Sequence, residues 1–205
     1  TKNNDGCGPA WANSLFEDNA EFGLGIKMSF DKQEDKKKTI LVNNKALIGE
    51  ELVEAILNAD QSNEKGIRIQ RANIKELRNR IALTNSFDAK QLNIIADHLV
   101  KKSHWIVGGD GWAYDIGFGG LDHVLSTGEN LNIIVLDTEV YSNTGGQKSK
   151  STSVGASAKF SVNGKENSKK DLALQAIAHG SVYVAQIAMG ANDAHAIKTI
   201  QEAEA

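Results

Sequence analysis

The sequence predicts an α/β fold, doubly wound, with a mostly parallel sheet flanked by helices. The apolar run 105–107 precedes a glycine-rich turn, and a second continuous apolar run follows at 133–136. Between them, apolar residues recur at helical spacing at Leu121, Val124 and Leu125. Continuous apolar runs are typical of strands that are covered on both faces, as in parallel sheets. A strand, a helix and a second strand imply a right-handed crossover.

The first hundred residues are predicted to be mainly helical. Residues 10 to 30 have a helical pattern that is interrupted by glycine at positions 23 and 25. Ser86 is the predicted cap of the last helix in this part of the chain. Residues 31–100 therefore form a predicted helical layer or insertion before the motif strand, without an assigned catalytic residue. Amphipathic spacing marks three helices here, at Ile48, Leu52, Val53, Ile56 and Leu57, at Ile74, Leu77 and Ile81, and at Leu92, Ile95, Ala96 and Leu99.

The region after residue 147 begins with a long polar segment. Residues 148–168 are rich in Ser, Lys, Gly and Asn, and long segments of this kind are often functional or mobile loops. We expect partial disorder of this segment in the isolated chain. The rest of the chain repeats the βα alternation, with a short helix marked by Leu172, Ala176 and Ile177 that ends at Gly180, a third buried strand at 182–187, and a final helix capped by Asn192 or Asp193.

Composition narrows the functional classes. The chain has 205 residues, 40% hydrophobic content and a formal net charge of −3, so one core can be buried and no charge-driven binding of nucleic acid or an anionic membrane is expected. No membrane span or signal peptide is predicted. Cys7 is the only cysteine, which favours a cytoplasmic location. An iron–sulfur cluster needs four thiolates, so Cys7 is predicted to be an ordinary thiol and the chain to hold no cluster.

The ends of the two predicted strands carry oxygen ligands. Asp110 follows the first strand, and the segment 138–143 follows the second, so both lie at the sheet edge where open α/β folds bind ligands. Mg²⁺ prefers hard oxygen ligands, usually one or two carboxylates together with substrate phosphates. Asp110 can supply a carboxylate, Thr138 and Asn143 side-chain oxygens, and Val140 a backbone carbonyl. Two positions would then remain for diphosphate oxygens.

The glycines around Asp110 allow more than one interpretation. Glycine at 108, 109 and 111 would let the main chain approach a phosphate without an intervening Cβ, and the following helix would add N–H donors. A Rossmann dinucleotide loop would require glycine or alanine at position 114, where Tyr114 stands. A purely structural βα turn is the alternative for Gly109-Asp110-Gly111 taken alone.

The motif residues resemble a known family. Gly109-Asp110-Gly111, with a second ligand segment about thirty residues later, looks like the thiamine diphosphate motif. The match extends from near residue 8 to the carboxyl end and is weakest between about 31 and 100. The segments that are similar to pyruvate:ferredoxin (flavodoxin) oxidoreductases are 8–11, 13–23, 108–117, 119–125 and 136–147.

The resemblance implies roles for individual residues. No catalytic residue is assigned, because the glutamate that thiamine enzymes use against the aminopyrimidine ring comes from another domain in this family. The implied magnesium ligands are Asp110, Thr138 and the Val140 carbonyl, and the other residues implied to bind thiamine diphosphate are Phe16, Gly109, Gly111, Trp112 and Asn143.

The resemblance also implies a reaction and partners. Pyruvate would be oxidatively decarboxylated with coenzyme A to acetyl-CoA and carbon dioxide, with electrons passing through iron–sulfur clusters to ferredoxin or flavodoxin. Members of the family are far longer, and the full enzyme is expected to be a homodimer. Because the chain starts at Thr1 without an initiator methionine and ends within a helical pattern, residues 1–205 are interpreted as an excised part of a single thiamine diphosphate-binding domain. Such a fragment is expected to be inactive alone.

Two other functions are consistent with the sequence. An oxidoreductase for a different 2-oxoacid would share the metal motif, since the residues that select the oxoacid are expected outside this segment. A non-catalytic module that binds a nucleotide or diphosphate through Mg²⁺ would use the same ligands. Calorimetric titration with thiamine diphosphate and with ATP separates these functions.

Overall fold

The computed structural model describes Gly6 and residues 8 to 205. Cys7, which the sequence predicts to be an ordinary thiol, lies outside the described residues. The chain divides into two compact units, the first formed by Thr1–Gly25 and His104–Ala205 and the second by Ile26–Ser103. No helix in the described part of the chain combines the length and the apolar character needed to cross a membrane.

The secondary structure follows the chain in this order. The helices of the amino-terminal half are α1 (Asn19–Lys32), α2 (Glu34–Asn43), α3 (Lys45–Ile48), α4 (Glu50–Leu57), α5 (Glu64–Ala82) and α6 (Phe87–Ala96). The carboxyl-terminal half contains β1 (Trp105–Gly109), a π-helix (Gly111–Ile116), α7 (Phe118–Ser126), β2 (Asn132–Leu136), β3 (Val140–Tyr141), β4 (Gln147–Lys148), α8 (Leu172–Ile177) and α9 (Asp193–Glu204).

The second unit consists of helices, as the sequence predicts for this part of the chain. The three amphipathic helices are confirmed, although Gly49, with a φ of +95°, divides the first of them into α3 and α4. Ser86 caps α6 as predicted, because its hydroxyl accepts a hydrogen bond from the Ala89 backbone N–H at 3.1 Å. The apolar faces bury one cluster, formed by Leu41, Ile48, Leu52, Val53, Ile56, Ile74, Leu77, Ile81, Ala89, Leu92 and Ala96.

The first unit has the predicted α/β fold. Strands β1 and β2 pair in parallel, with Trp105 opposite Asn132 and Gly109 opposite Leu136. The π-helix and α7 form the crossover between them. A short antiparallel pair, β3 and β4, follows. The core of this unit contains Ala20, Ile106, Trp112, Ala113, Tyr114, Leu121, Val124 and Leu172.

The predicted interruption of the first helix by glycine is wrong. Residues 8–15 have no regular structure, and α1 begins at Asn19 and continues through both glycines. At Gly23 an added Cβ would lie 2.4 Å from Cγ1 of Ile106, so the glycine permits close packing of α1 on β1. The side chain of Asn19 donates to the Val107 carbonyl at 3.0 Å, which ties the start of α1 to the same strand.

The predicted third strand at 182–187 is also wrong. Val182, Val184 and Ile187 are half-buried, but among the described residues this segment joins no strand ladder. An apolar pattern indicates that side chains are buried. A strand also needs a neighbouring strand that forms hydrogen bonds with its backbone. The other two elements are confirmed: α8 is followed by a turn at Gly180, and Asn192 caps α9 by accepting from the His195 N–H at 3.0 Å.

Candidate functional site

The parallel strands bring the two predicted ligand segments together. Because Gly109 and Leu136 are register partners, Asp110 and the residues after Leu136 leave the same edge of the pair. Asp110 is 1% exposed, although a carboxylate is normally solvated. Its two oxygens are bonded on different sides, Oδ1 by the Thr138 hydroxyl at 3.0 Å and Oδ2 by the Ser149 hydroxyl at 2.5 Å.

The Thr138 hydroxyl lies among several oxygen atoms. Its Oγ1 is 3.0 Å from Oδ1 of Asp110, 3.2 Å from the Val140 carbonyl oxygen and 2.8 Å from Oγ of Ser142. A hydroxyl has a single proton, while an ionised carboxylate and a carbonyl can only accept. One proton cannot serve both Asp110 and Val140, so this cluster is rich in lone pairs and poor in donors.

Such a donor set fits a small divalent cation. In an octahedral Mg²⁺ site with bonds of about 2.1 Å, neighbouring ligand oxygens are about 3.0 Å apart. The separations from Thr138 to Asp110 and to Val140, 3.0 and 3.2 Å, agree with that spacing. Among the described residues, no group of three His, Cys, Asp or Glu side chains is suited to hold a metal. One carboxylate with neutral oxygens is the type of site at which Mg²⁺ keeps positions for phosphate oxygens.

The glycines around Asp110 have different environments. A Cβ added at Gly109 would meet no atom within 4 Å, so the main chain there borders open space. At Gly108 the added atom would lie 2.3 Å from Cε3 of Trp112, and at Gly111 it would lie 2.6 Å from the Tyr141 ring. The missing Cβ therefore leaves open space at Gly109, whereas at Gly108 and Gly111 it leaves room for the Trp112 and Tyr141 side chains. The expected approach of the main chain to a phosphate stays a prediction.

Trp112 is part of the core. The whole residue is only 1% exposed, and its indole nitrogen has no hydrogen-bond partner among the described residues. The surrounding turn is a π-helix, in which the Gly117 N–H donates to the Trp112 carbonyl five residues earlier at 2.9 Å. A Cβ at Gly117 would lie 2.1 Å from the Trp112 ring, so the wide turn accommodates the indole. π-Helical turns are frequent at functional sites.

Phe16 and Asn143 lie differently with respect to the Asp110 cluster. The Phe16 ring is 46% exposed and its centroid is 5.9 Å from that of Tyr141, whose ring covers Gly111. Phe16 is therefore brought to the predicted cofactor loop. Asn143 is exposed in the turn after β3, and within the described chain no hydrogen bond joins its side chain to the Asp110 cluster.

A polar network extends from the site through Asp137. The Tyr114 hydroxyl donates to Oδ2 of Asp137 at 3.0 Å, and the Lys169 ammonium donates to the same oxygen at 2.7 Å. Burial, together with the bond to Asp137, raises the pKa of Tyr114 to about 12. Burial alone would raise the pKa of Asp137, but hydrogen bonds from Lys169, Ser151 and Tyr114 hold it below its ordinary value. Asp137 is therefore an ionised anchor beside Thr138.

Sequence reasoning missed the hydroxyl groups that complete the site. Ser149, Ser151 and Thr152 are at most 5% exposed and bond to Asp110, Asp137 and the Glu139 carbonyl respectively. They lie in the segment 148–168, whose predicted mobility stays a prediction. The dense run of hydroxyls at 149–153 was the available signal, but its partners are remote in sequence.

The fold assigns the chain to the α/β proteins that bind ligands at the carboxyl edge of a parallel sheet. Comparison with known families identifies one family within this class. Residues 91–205 match the family described as thiamine pyrophosphate enzyme, C-terminal TPP binding domain. The matched region covers more than half of the chain. The chain therefore belongs to this family, as the sequence motifs predict.

Individual relatives agree with this assignment. The chain is 57% identical over 209 residues to pyruvate-flavodoxin oxidoreductase of Trichormus variabilis. It is 51% identical over 205 residues to probable pyruvate-flavodoxin oxidoreductase of Escherichia coli, and 49% identical over 220 residues to pyruvate:ferredoxin oxidoreductase of Moorella thermoacetica. Each alignment covers all of this chain but only 17% or 18% of the relative. The predicted resemblance is confirmed, and the chain spans less than a fifth of the length of these relatives.

Proposed function

We propose that this chain is the thiamine diphosphate- and Mg²⁺-binding portion of an enzyme that oxidatively decarboxylates pyruvate. The observation that carries the proposal is the position of the Thr138 hydroxyl, 3.0 Å from the Asp110 carboxylate and 3.2 Å from the Val140 carbonyl. Membership of the thiamine pyrophosphate enzyme family supports the identity of the cofactor. The oxygen set and its spacing support Mg²⁺ as the cation.

Each residue has a definite task in this proposal. Asp110, Thr138 and the Val140 carbonyl hold Mg²⁺, which neutralises the diphosphate. When bound, thiamine diphosphate supplies the reactive carbon and the electron sink for decarboxylation. The remaining cofactor contacts are the main chain of Gly109, Gly111 and Trp112, the Asn143 side chain near the diphosphate, and the Phe16 ring against the thiamine rings.

The proposal for the whole protein rests on the names of its relatives. Those names specify pyruvate as substrate and flavodoxin or ferredoxin as electron acceptor. We infer the same reaction here, with coenzyme A as the acyl acceptor, iron–sulfur clusters held by other parts of the polypeptide, and a cytoplasmic homodimer. The catalytic glutamate and the cations that bind the substrate would come from another domain, so residues 1–205 alone should release no carbon dioxide from pyruvate.

Calorimetric titration of the intact protein with thiamine diphosphate tests the cofactor site. Wild type should bind with Mg²⁺ present and lose binding when EDTA is added. Asp110→Asn keeps the shape of the side chain but removes the charge, and we expect at least a hundredfold loss of Mg²⁺-dependent affinity, about 2.7 kcal/mol. Asp122→Asn is the matched control, because Asp122 is an exposed carboxylate of the same unit whose partner is His179.

Two outcomes would contradict this proposal. Preference for ATP over thiamine diphosphate would favour the non-catalytic nucleotide-binding module instead. Equal losses in Asp110→Asn and Asp122→Asn would show that the effect is one of general charge and not of metal ligation. Substrate choice is tested separately, by comparing pyruvate with 2-oxoglutarate in reduction of a viologen acceptor by the intact enzyme.

A further inference from the structure

The residues 149–152, here called the hydroxyl clip, contact both segments that carry the proposed metal ligands. The Ser149 hydroxyl donates to Oδ2 of Asp110 at 2.5 Å, after β1. The Thr152 hydroxyl donates to the backbone carbonyl of Glu139, after β2. The clip therefore joins the two strand ends from outside the sheet.

The direction of each hydroxyl bond in the clip is defined by a second bond. Ser149 Oγ accepts from the Ser151 N–H at 3.1 Å, so its proton is free to point at Asp110. Thr152 Oγ1 accepts from the Ser149 N–H at 2.9 Å, so its proton points at Glu139. Ser149 is 5% exposed and Thr152 is 1% exposed, which leaves little room for water to replace either group.

Glu139 has an unusual backbone conformation that the clip supports. Its φ is +64°, a left-handed conformation that residues other than glycine seldom adopt. It lies between Thr138 and Val140, and this turn directs the Val140 carbonyl toward the Thr138 hydroxyl. Conformations of this kind persist only where the surroundings hold them. The bond from Thr152 to the Glu139 carbonyl provides such a restraint.

A buried lysine of the same segment, 148–168, also contacts the clip. The Lys165 ammonium donates to the Lys150 carbonyl at 3.0 Å and to the Thr152 carbonyl at 2.6 Å. The residue is only 7% exposed. It thus pairs with two backbone carbonyls of the clip and restrains the main chain that carries Ser149 and Thr152.

We propose that Ser149 and Thr152 are positioning residues for the metal site. Ser149 holds Oδ2 of Asp110, so that Oδ1 stays directed at the oxygen cluster around Thr138. Thr152 holds the Glu139 turn, so that the Val140 carbonyl joins that cluster. Groups that orient metal ligands in this way commonly change metal affinity 10- to 100-fold when removed. This inference rests on the proposed function, because it assigns partners to the same Mg²⁺ site.

Titration of Mg²⁺ into the intact protein at a fixed, near-saturating thiamine diphosphate concentration tests the clip. Ser149→Ala and Thr152→Val should raise the Mg²⁺ concentration for half-maximal cofactor binding by roughly 10- to 100-fold. Excess Mg²⁺ should restore full binding, which a general folding defect would not allow. Thr152→Ser keeps the hydroxyl and should stay within about twofold of wild type. Ser157→Ala is the matched control, because its hydroxyl bonds the Val162 carbonyl in the same segment and, among the described residues, no group of the Asp110 cluster.

The results separate this inference from the proposed function. Suppose that wild type binds thiamine diphosphate with Mg²⁺ and Asp110→Asn does not, while Ser149→Ala and Thr152→Val titrate like wild type. The positioning role of the clip is then overturned and the proposal of the metal site stands. If Ser157→Ala shifts as much as Ser149→Ala, the effect belongs to the loop as a whole and the clip is overturned. If Ser149→Ala fails to fold, the two Thr152 variants test the inference. An equal Mg²⁺ requirement in Thr152→Val and Thr152→Ser would overturn the positioning role of the clip. Wild type without Mg²⁺-dependent binding would overturn the metal site and the clip together.

Discussion

The two units of this chain are stabilised in different ways. In the helical unit, Ile26–Ser103, the buried cluster is apolar and its members lie on helices with regular spacing. Its ion pairs are mostly local and exposed, such as Glu64 with Arg68 at 3.1 Å and Glu76 with Arg80 at 2.9 Å. In the strand-bearing unit, buried polar groups occupy the region of the candidate site, including Asp110, Ser149 and Thr152.

Because of this difference, substitutions in the two units are expected to affect different properties of the protein. Apolar burial is non-directional, so the helical unit tolerates variation if its apolar face is kept. A buried polar network is directional, and each group that loses its partner carries a desolvation cost. Substitutions in the helical unit should therefore change stability, whereas substitutions in the polar network should change ligand binding first.

Leu77→Ala should give the largest effect and should be confined to the helical unit. Leu77 is completely buried, so its truncation should cost about 3 kcal/mol, within the usual range of 2–5. Native-state hydrogen exchange should show roughly hundredfold faster exchange in α4, α5 and α6. Leu83→Ala is the control, because Leu83 is 92% exposed. Unchanged protection in Leu77→Ala would contradict the assignment of this cluster as the source of stability.

In the strand-bearing unit, substitutions at two adjacent glycines distinguish an effect on packing from an effect on ligand access. Gly108→Ala should destabilise by about 2 kcal/mol, because the new methyl group would collide with Trp112. Gly109→Ala should change stability by less than about 0.5 kcal/mol, since its added Cβ meets nothing. It should nevertheless weaken thiamine diphosphate binding roughly tenfold. Thermal unfolding and calorimetry measure the two effects, and normal cofactor affinity in Gly109→Ala would argue against phosphate approach there.

Ser86→Ala tests a purely local interaction. Loss of the bond to the Ala89 N–H should cost about 1 kcal/mol in α6. Hydrogen exchange in residues 87–90 should accelerate about fivefold, and cofactor binding should not change. Ser86→Asp retains a capping acceptor and should behave like wild type, so an equal loss in both variants would rule out the cap as the cause.

Lys169→Met should have the smallest effect, and that effect should depend on pH. The Lys169–Asp137 pair is about one-third exposed, so after screening its loss should cost about 0.5–1 kcal/mol at neutral pH. Because the pKa of Asp137 lies below its ordinary value, the stabilisation is complete above about pH 3.9 and is lost as the pH falls through the folded-state pKa. The difference between variant and wild type should therefore shrink below about pH 3.9.

Urea unfolding at pH 7 and at acid pH measures this dependence. The pKa of Lys169 is raised by its bonds to Asp137 and Glu139, which outweigh burial, so its own contribution should be lost only at strongly alkaline pH. Lys198→Met is the control, since that lysine pairs at the surface with Glu202 at 3.6 Å. A difference for Lys169→Met that is constant from neutral to acid pH would exclude Asp137 as the partner.

Much of the fold could be predicted because its signals are local. The spacing of Ile74, Leu77 and Ile81 identified a helix, and the runs before Asp110 and Thr138 identified the parallel strands. The prediction failed where tertiary packing overrode local preference. Glycine at 23 permits the contact with Ile106 and does not end the helix. The apolar pattern at 182–187 pairs with no strand in the part of the chain that the structure describes.

The candidate site was predicted in part for the same reason. Asp110, Thr138 and Val140 follow strands, so strand prediction was sufficient to bring them to one edge. Ser149 and Thr152 belong to a segment without repeating pattern, and no local property distinguishes their hydroxyls from those of Ser153 or Ser157.

By itself the sequence determined the helix faces, the two parallel strands and the acidic glycine turn, because periodicity and chain stiffness act over a few residues. Only the tertiary structure decided which hydroxyls reach the carboxylate, since Ser149 lies 39 residues after Asp110. A hydrogen bond depends on position to within a few tenths of an ångström. That position follows from the register of β1 and β2 and from the path of the segment that returns to them.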